Sequence, residues 1–232
     1  MRKKIIENYL LDIFFPIHCL HCGKGNEWLC EICYQKIHLR SEQVCPYCEK
    51  NTTPQGKICQ SCLARFQKNN KVNPLDGLLV ASRYRNNILA NLVHYYKYNF
   101  IQELSSVLGK ILVKSFLKND LVLPDIIIPV PLHSRRLRWR GFNQSKLLAD
   151  YISQNISPGF LIPVLENIIA RPRHTKPQMK IKKYQERQKN LANVFRIDEK
   201  SAEWRSLENK KILLVDDIAT TGSTLFECAK VL

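Results

Sequence analysis

From residue 75 onward, apolar runs alternate with helical patterns. "LDGLLVASRYR", 75–85, predicts a strand. "NNILANLVHYYKY", 86–98, and "IQELSSVLGKILVKSFLK", 101–118, repeat apolar residues at i, i+3, i+4 and i+7 and predict helices. "DIIIPVPL", 125–132, is a continuous apolar run and predicts a strand buried on both faces. "FNQSKLLADYISQNI", 142–156, is again helical, "KKILLVDD", 210–217, is a second buried strand, and "GSTLFECAKVL", 222–232, opens a helix. The alternation predicts an α/β fold with a mainly parallel sheet.

The residues before this stretch have another logic. "MRKKIIENYLLDIFFP", 1–16, has a basic start and an apolar body broken by Glu7, Asn8 and Asp12, and predicts an amphipathic helix rather than a signal peptide. Residues 17–71 carry four C-x-x-C pairs: Cys19/Cys22, Cys30/Cys33, Cys45/Cys48 and Cys59/Cys62. Four such pairs without an export signal point to metal rather than disulfides. Zinc takes four thiolates tetrahedrally, so eight cysteines make two closed, structural sites. Three pairings of the knuckles are open. Sequence neighbours close the shorter loops, which favours Cys19, Cys22, Cys30 and Cys33 at one site and Cys45, Cys48, Cys59 and Cys62 at the other. His18 and His21 flank the first knuckle as bystanders. Cys228 stands alone in a predicted helix as a small buried apolar residue. "RFQKNNKVNPLDG", 65–77, reads as a linker, with a boundary near residue 72 and a second domain over 72–232.

No apolar run approaches the ~20 residues of a membrane span, and a cytoplasmic location is expected. The formal charge is +16. Eight thiolates with two Zn²⁺ carry about −4, so the working charge is nearer +12. Residues 76–232 hold 25 Lys and Arg against 14 Asp and Glu. Such a balance suits phosphate-bearing partners.

The second buried strand ends in two carboxylates, Asp216 and Asp217. In open parallel sheets, ligands sit beyond the carboxyl ends of the strands. Adjacent carboxylates there accept from vicinal hydroxyls, or hold a metal that carries them. Ala219, Thr220, Thr221, Gly222, Ser223 and Thr224 follow, with bare backbone amides and hydroxyls leading into a helix N-terminus, a place for phosphate. A sugar diol beside a phosphate describes a ribose 5-phosphate. Neither G-x-G-x-x-G nor G-x-x-x-x-G-K-[ST] is present.

"LLVDDIATTGST" resembles the signature of the type I phosphoribosyltransferases, which bind 5-phosphoribosyl-1-pyrophosphate. "PVPLHSRRLRWRGFNQSKLLA", "RPRHTKPQ", "ERQKNLANVF" and the four knuckles resemble the ComF family of competence-associated proteins. The resemblance covers roughly residues 5 to 232. It implies a double zinc ribbon, with two structural zinc ions, on a phosphoribosyltransferase-like domain. Asp216 and Asp217 would hold the ribose hydroxyls, directly or through Mg²⁺, and 219–224 would cradle the 5-phosphate. Pro131 to Arg136 stands where such enzymes have a pyrophosphate loop, with Arg135 and Arg136 supplying charge. Arg171 to Lys189, with eight basic residues and only Glu186 acidic, stands where they have a mobile hood.

Two functions follow. One is transfer of phosphoribosyl to a nitrogen acceptor, with pyrophosphate leaving. The other is handling of single-stranded DNA during uptake, with a DNA-uptake helicase as partner and the phosphoribosyl site kept for ligand binding. Arg138, Arg140, Arg171, Arg173, Lys182 and Lys183 are the candidate nucleic-acid contacts. Trp139 and Phe142 are read either as bases' stacking partners or as packing beneath the loop. A zinc-ribbon adaptor for another protein is a third reading. One departure accompanies the resemblance: such domains continue through the last helix to a further strand, so at Leu232 either the gene product is cut short or the sheet lacks a strand.

Overall fold

The computed structural model describes residues 16–70, 72–84, 87–174, 193–199, 201–219 and 222–232. The expected helix over 1–16, all but its last residue, the sites Lys182, Lys183, Thr220 and Thr221, and most of the expected hood lie outside them.

Helix α1 spans Glu31–Gln35, and α2 spans Gln60–Lys68. Between them, β1, Gln43–Val44, pairs antiparallel with β2, Thr52–Thr53. Two longer helices, α3, Asn87–Tyr98, and α4, Leu104–Lys118, precede strand β3, Ile126–Pro129. Helix α5, Ser134–Arg140, then runs into α6, Gln144–Asn155. A hairpin-like pair, β4 Ile169–Ala170 and β5 Arg196–Ile197, precedes β6, Ile212–Val215, and α7, Ser223–Ala229.

The sheet is parallel where it matters for the site. Strand β3 pairs with β6 in the register Ile126↔Ile212 to Pro129↔Val215, and Ile127 bridges to Val164 on its other side, also parallel. Side chains alternate across a strand, so its two faces feed two cores. Ile127, Leu213 and Val215 face Leu92, Tyr96, Leu108, Leu148 and Ile152 of α3, α4 and α6. Ile126, Ile128 and Val130 face Ile168, Val194, Phe195, Leu225 and Cys228. The buried residues Ile88, Leu92, Val93 and Tyr96 make one stripe of α3. Helices α4 and α6 meet so closely that a Cβ on Gly109 would lie 2.4 Å from the Tyr151 ring. Cys228 is fully buried, as a small apolar residue should be.

Three local expectations are corrected. The strand expected over 75–85 is absent from its described residues, 75–84. Leu78 N–H donates to Gly56 O, Arg40 N–H to Ala81 O, and Val80 N–H to the Gln43 side chain. The ribbon region therefore takes this segment's backbone groups. Gly77 makes a single antiparallel bridge to Lys57, and Leu79, Val80 and Ala81 line a groove of about 1500 Å³ together with Leu213, Leu214 and Val215. The predicted linker at 65–77 begins as the last turn of α2. The segment expected to be a pyrophosphate loop is partly helical, because α5 starts at Ser134. The short antiparallel pair β4–β5 was not expected from periodicity.

Among the described residues, no helix is long and apolar enough to cross a membrane.

Candidate functional site

The eight knuckle cysteines gather into two groups: Cys19, Cys22, Cys30, Cys33, and Cys45, Cys48, Cys59, Cys62, each with its sulfurs within 4.8 Å of one another. These are the neighbour pairings expected from loop length. Cys22 Sγ is 3.6 Å from Cys30 Sγ, and Cys48 Sγ is 3.9 Å from Cys59 Sγ. Thiolates about 2.3 Å from zinc stand about 3.8 Å apart in a tetrahedron, so both groups fit that ion. Both are too open for disulfides. The local electrostatics agree. Burial resists ionisation of Cys19, yet backbone N–H groups of Cys22, Cys30 and His21 bring its thiol down to about 6. Backbone donation from Cys62 and the Asn51 amide bring Cys59 to about 6. Burial and neighbouring thiols push Cys33 and Cys62 up to about 12. Each group thus ionises in part by itself, and a dication would stabilise the remaining thiolates. His18 bonds Pro16 O instead.

The carboxylate pair stands where β6 ends. Asp216 Oδ1 accepts from Ser145 Oγ at 3.1 Å and from the Asp217 N–H at 2.9 Å. Asp217 Oδ2 lies 3.0 Å from Lys97 Nζ, and both side chains are mostly buried. Asp216 keeps some accessible surface, yet protein crowds most sides of it. That burial, with the Asp217 charge adding and Lys97 opposing, raises its carboxyl to about 7.

The stretch from Arg140 to Ser145 builds this corner. Gly141 ends α5 in the left-handed region, φ 79°, which a side chain would resist. Phe142 then turns inward against Tyr96, ring centroids 5.7 Å apart. Asn143 caps α6 by accepting from Ser145 N–H, and its amide donates to Val130 O at the end of β3. Gln144 is buried; its carbonyl accepts from Tyr96 Oη and its side chain from Arg140. Ser145 reaches Asp216. The stretch therefore ties the end of β3 to the end of β6 and sets the carboxylate.

One group of cations includes Arg171, which lies within electrostatic reach of Asp216. Burial lowers Arg136, and Arg140 lowers it further. Burial and the Arg136 charge bring Arg171 down to about 10, while Asp216 pulls it upward. The Arg171 guanidinium packs over the Phe195 ring at 5.1 Å. His133 and His174 join the group, with rings 5.1 Å apart. Burial lowers His174, and Arg136, His133, Arg135 and Arg171 lower it further. Arg171 thus feels the Asp216 charge, whereas Arg138 and Arg173 are exposed. Ala219 and Gly222 to Thr224 follow the carboxylates into α7, with Gly222 and Ser223 buried. Sequence reasoning missed Lys97, His133 and His174, and read Arg171 both as the first residue of the hood and as a nucleic-acid contact.

Comparison with known proteins adds to this geometry. Residues 10–65 match the double zinc ribbon domain family. Competence protein F of Haemophilus influenzae is 32% identical over 228 residues, covering 94% of this chain and 92% of that protein. The chain belongs to the ComF family. Other members include the DNA utilization protein YhgH of Escherichia coli K12, 30% identical over 90% of this chain and 85% of the relative. The competence protein ComFC of Bacillus subtilis is 26% identical over 90% of this chain and 79% of the relative. No solved structure matches with significance. The family match spans both the two cysteine groups and the carboxylate corner, so the two sites are parts of one ComF chain.

Proposed function

We propose that this ComF chain binds 5-phosphoribosyl-1-pyrophosphate with Mg²⁺ and serves DNA uptake by handling single-stranded DNA. The observation that supports the ligand is the pair of adjacent carboxylates, Asp216 and Asp217, at the end of β6, with Arg171 feeling both the Asp216 charge and that of Arg136. Carboxylates accept from a ribose diol or hold Mg²⁺. Guanidiniums take phosphate oxygens in a matching fork geometry. The segment around Ala219, Thr220, Thr221, Gly222, Ser223 and Thr224 takes the 5-phosphate. Arg135, Arg136 and Arg171 take the pyrophosphate. Mg²⁺ would neutralise the carboxylates as the ligand enters, in competition with Lys97. Two structural zinc ions hold the ribbon. The competence and DNA utilization names of the relatives support the role in uptake, and a DNA-uptake helicase is the expected partner in the cytoplasm. The candidate nucleic-acid contacts are Arg138, Arg140, Arg173, Lys182 and Lys183.

A second reading rests on His174, whose charged form is disfavoured by burial and by its cationic neighbours. A neutral imidazole can accept the proton of a nitrogen nucleophile. The C1′–N bond would form as the C1′–O bond broke and pyrophosphate left.

Calorimetry with phosphoribosyl pyrophosphate and Mg²⁺ tests the first reading, with ribose 5-phosphate as the weaker control. Pyrophosphate release measured with candidate amines and nucleobases tests the second. Binding without release leaves the first reading alone; absence of binding contradicts both.

A further inference from the structure

We infer that Tyr98, Phe100 and Trp139, with Arg140, form a platform on which unstacked bases of a single nucleic-acid strand stack. This deepens the nucleic-acid part of the proposed function and is independent of its phosphoribosyl part.

Helix α5 has no buried residue. Trp139 on this helix is 58% exposed. Trp139 is not isolated. Phe100 meets it edge-on at 5.1 Å, and Tyr98 lies 6.3 Å away. Tyr98 and Phe100 are themselves exposed, at 41% and 38%. The Arg140 guanidinium sits 5.8 Å from both the Tyr98 and the Trp139 ring centroids. Three exposed rings gathered around Trp139 are a patch, and such patches mark interaction sites.

The charge around the patch selects its partner. Arg135 and Arg138 are exposed on α5, next to the rings. No acidic residue occurs between Asp125 and Asp150. Rings that offer π-faces, interleaved with guanidiniums that meet phosphates, suit a single strand, whose bases are free to leave their own stack. A duplex hides those faces. An aliphatic protein partner would not need the flanking cations.

The platform also borders the carboxylate site. Lys97 pairs with Asp217, and Tyr98 is its neighbour on α3. Gln144 is buried, accepts from Arg140, and keeps its Nε2 without a partner among the described residues. A strand lying on the rings would run past the phosphoribosyl site.

The test separates stacking from charge. Full-length protein is titrated with an oligothymidylate and with an abasic oligonucleotide of equal length, which keeps the phosphates and lacks the bases. The parent should bind oligothymidylate at least about tenfold more tightly, a difference of about 1.4 kcal/mol. Trp139 fluorescence should be quenched by oligothymidylate only. Phe100→Ala with Trp139→Ala should erase the preference while abasic binding stays within about twofold. Because these residues are exposed, unchanged near-ultraviolet circular dichroism away from the indole band and unchanged zinc content report an intact fold. Equal binding of the two probes by the parent overturns the platform while leaving charge-driven DNA binding in place. Failure to bind either probe overturns both and assigns the patch to a protein partner. Phosphoribosyl pyrophosphate binding by the double variant should be unaffected.

Discussion

Lys97 Nζ lies 3.0 Å from Asp217 Oδ2, with both side chains mostly out of solvent. Asp216 is adjacent, so one ammonium faces two carboxylates. The contact is a charge pair rather than a well-directed hydrogen bond. Removing the ammonium leaves an uncompensated buried carboxylate, which typically costs about 3–5 kcal/mol. Partial exposure reduces this, and we expect Lys97→Met to destabilise the ligand-free protein by about 2–3 kcal/mol. Urea unfolding measures the loss, and Mg²⁺ should restore part of it. Equal stability of parent and variant would show that the pair is idle.

The raised carboxyl of Asp216 gives a pH dependence. Its value in the folded protein is about 7, above the ordinary 3.8. Between those limits the native state binds the extra proton, so this group's contribution to stability is complete at low pH and is lost as pH rises through about 7. Asp216→Asn keeps an acceptor for Ser145 and removes the charge. The variant should have a flatter stability profile from about pH 4 to 7 and be about 1–3 kcal/mol more stable than the parent at pH 8. Thermal unfolding across that range checks the sign.

The two cysteine groups should be unequal in their reach. Elemental analysis of protein purified without chelator should give close to two zinc ions per chain; a value near zero with disulfides present would contradict the assignment. Cys19, Cys30 and Cys33 share a core with Ile88, Leu92 and Leu108, whereas Cys45, Cys59 and Cys62 form a small cluster of their own. Cys33→Ser should therefore lower the melting temperature of the helical body, and Cys62→Ser should lower it less. Melting followed by near-ultraviolet circular dichroism makes the comparison.

Much of this was legible because it is local. A C-x-x-C knuckle brings two ligands together within one turn, and an apolar run ending in two aspartates marks the end of a buried strand. The fate of Trp139 and Phe142 was not legible. They stand three residues apart, but Gly141 ends α5 between them, leaving the indole outside and turning the phenyl ring onto Tyr96. Lys97, and the electrostatic link between Arg171 and Asp216, were missed for a different reason. These residues come from elements far apart in sequence, and only the packing of α3 and the chain around β4 brings them within reach of Asp216 and Asp217. The strand expected at 75–85 failed because apolar character reports burial and not pairing. Its backbone groups bond to the ribbon.

DNA binding should be strongly salt-dependent. Each phosphate neutralised on a single strand contributes about −0.7 to the slope of log affinity against log salt. Arg138, on α5, and Arg173 are both exposed. Changing both to Ala should reduce the slope's magnitude by about 1.4. Affinity that does not change with salt would contradict an electrostatic role for these arginines.

The central claim is that Asp216 and Asp217 hold the ribose of phosphoribosyl pyrophosphate. Calorimetry on the parent and on Asp216→Asn with Asp217→Asn tests it most directly. Each Asn keeps the side chain's shape but replaces one acceptor oxygen with a donor. Hydrogen bonds to charged groups are worth about 1.5–3 kcal/mol each. Losing two predicts Mg²⁺-dependent binding weakened by about a hundredfold or more, in a protein that still melts cooperatively. Unchanged affinity in the double variant would contradict the assignment of this corner as the ribose site.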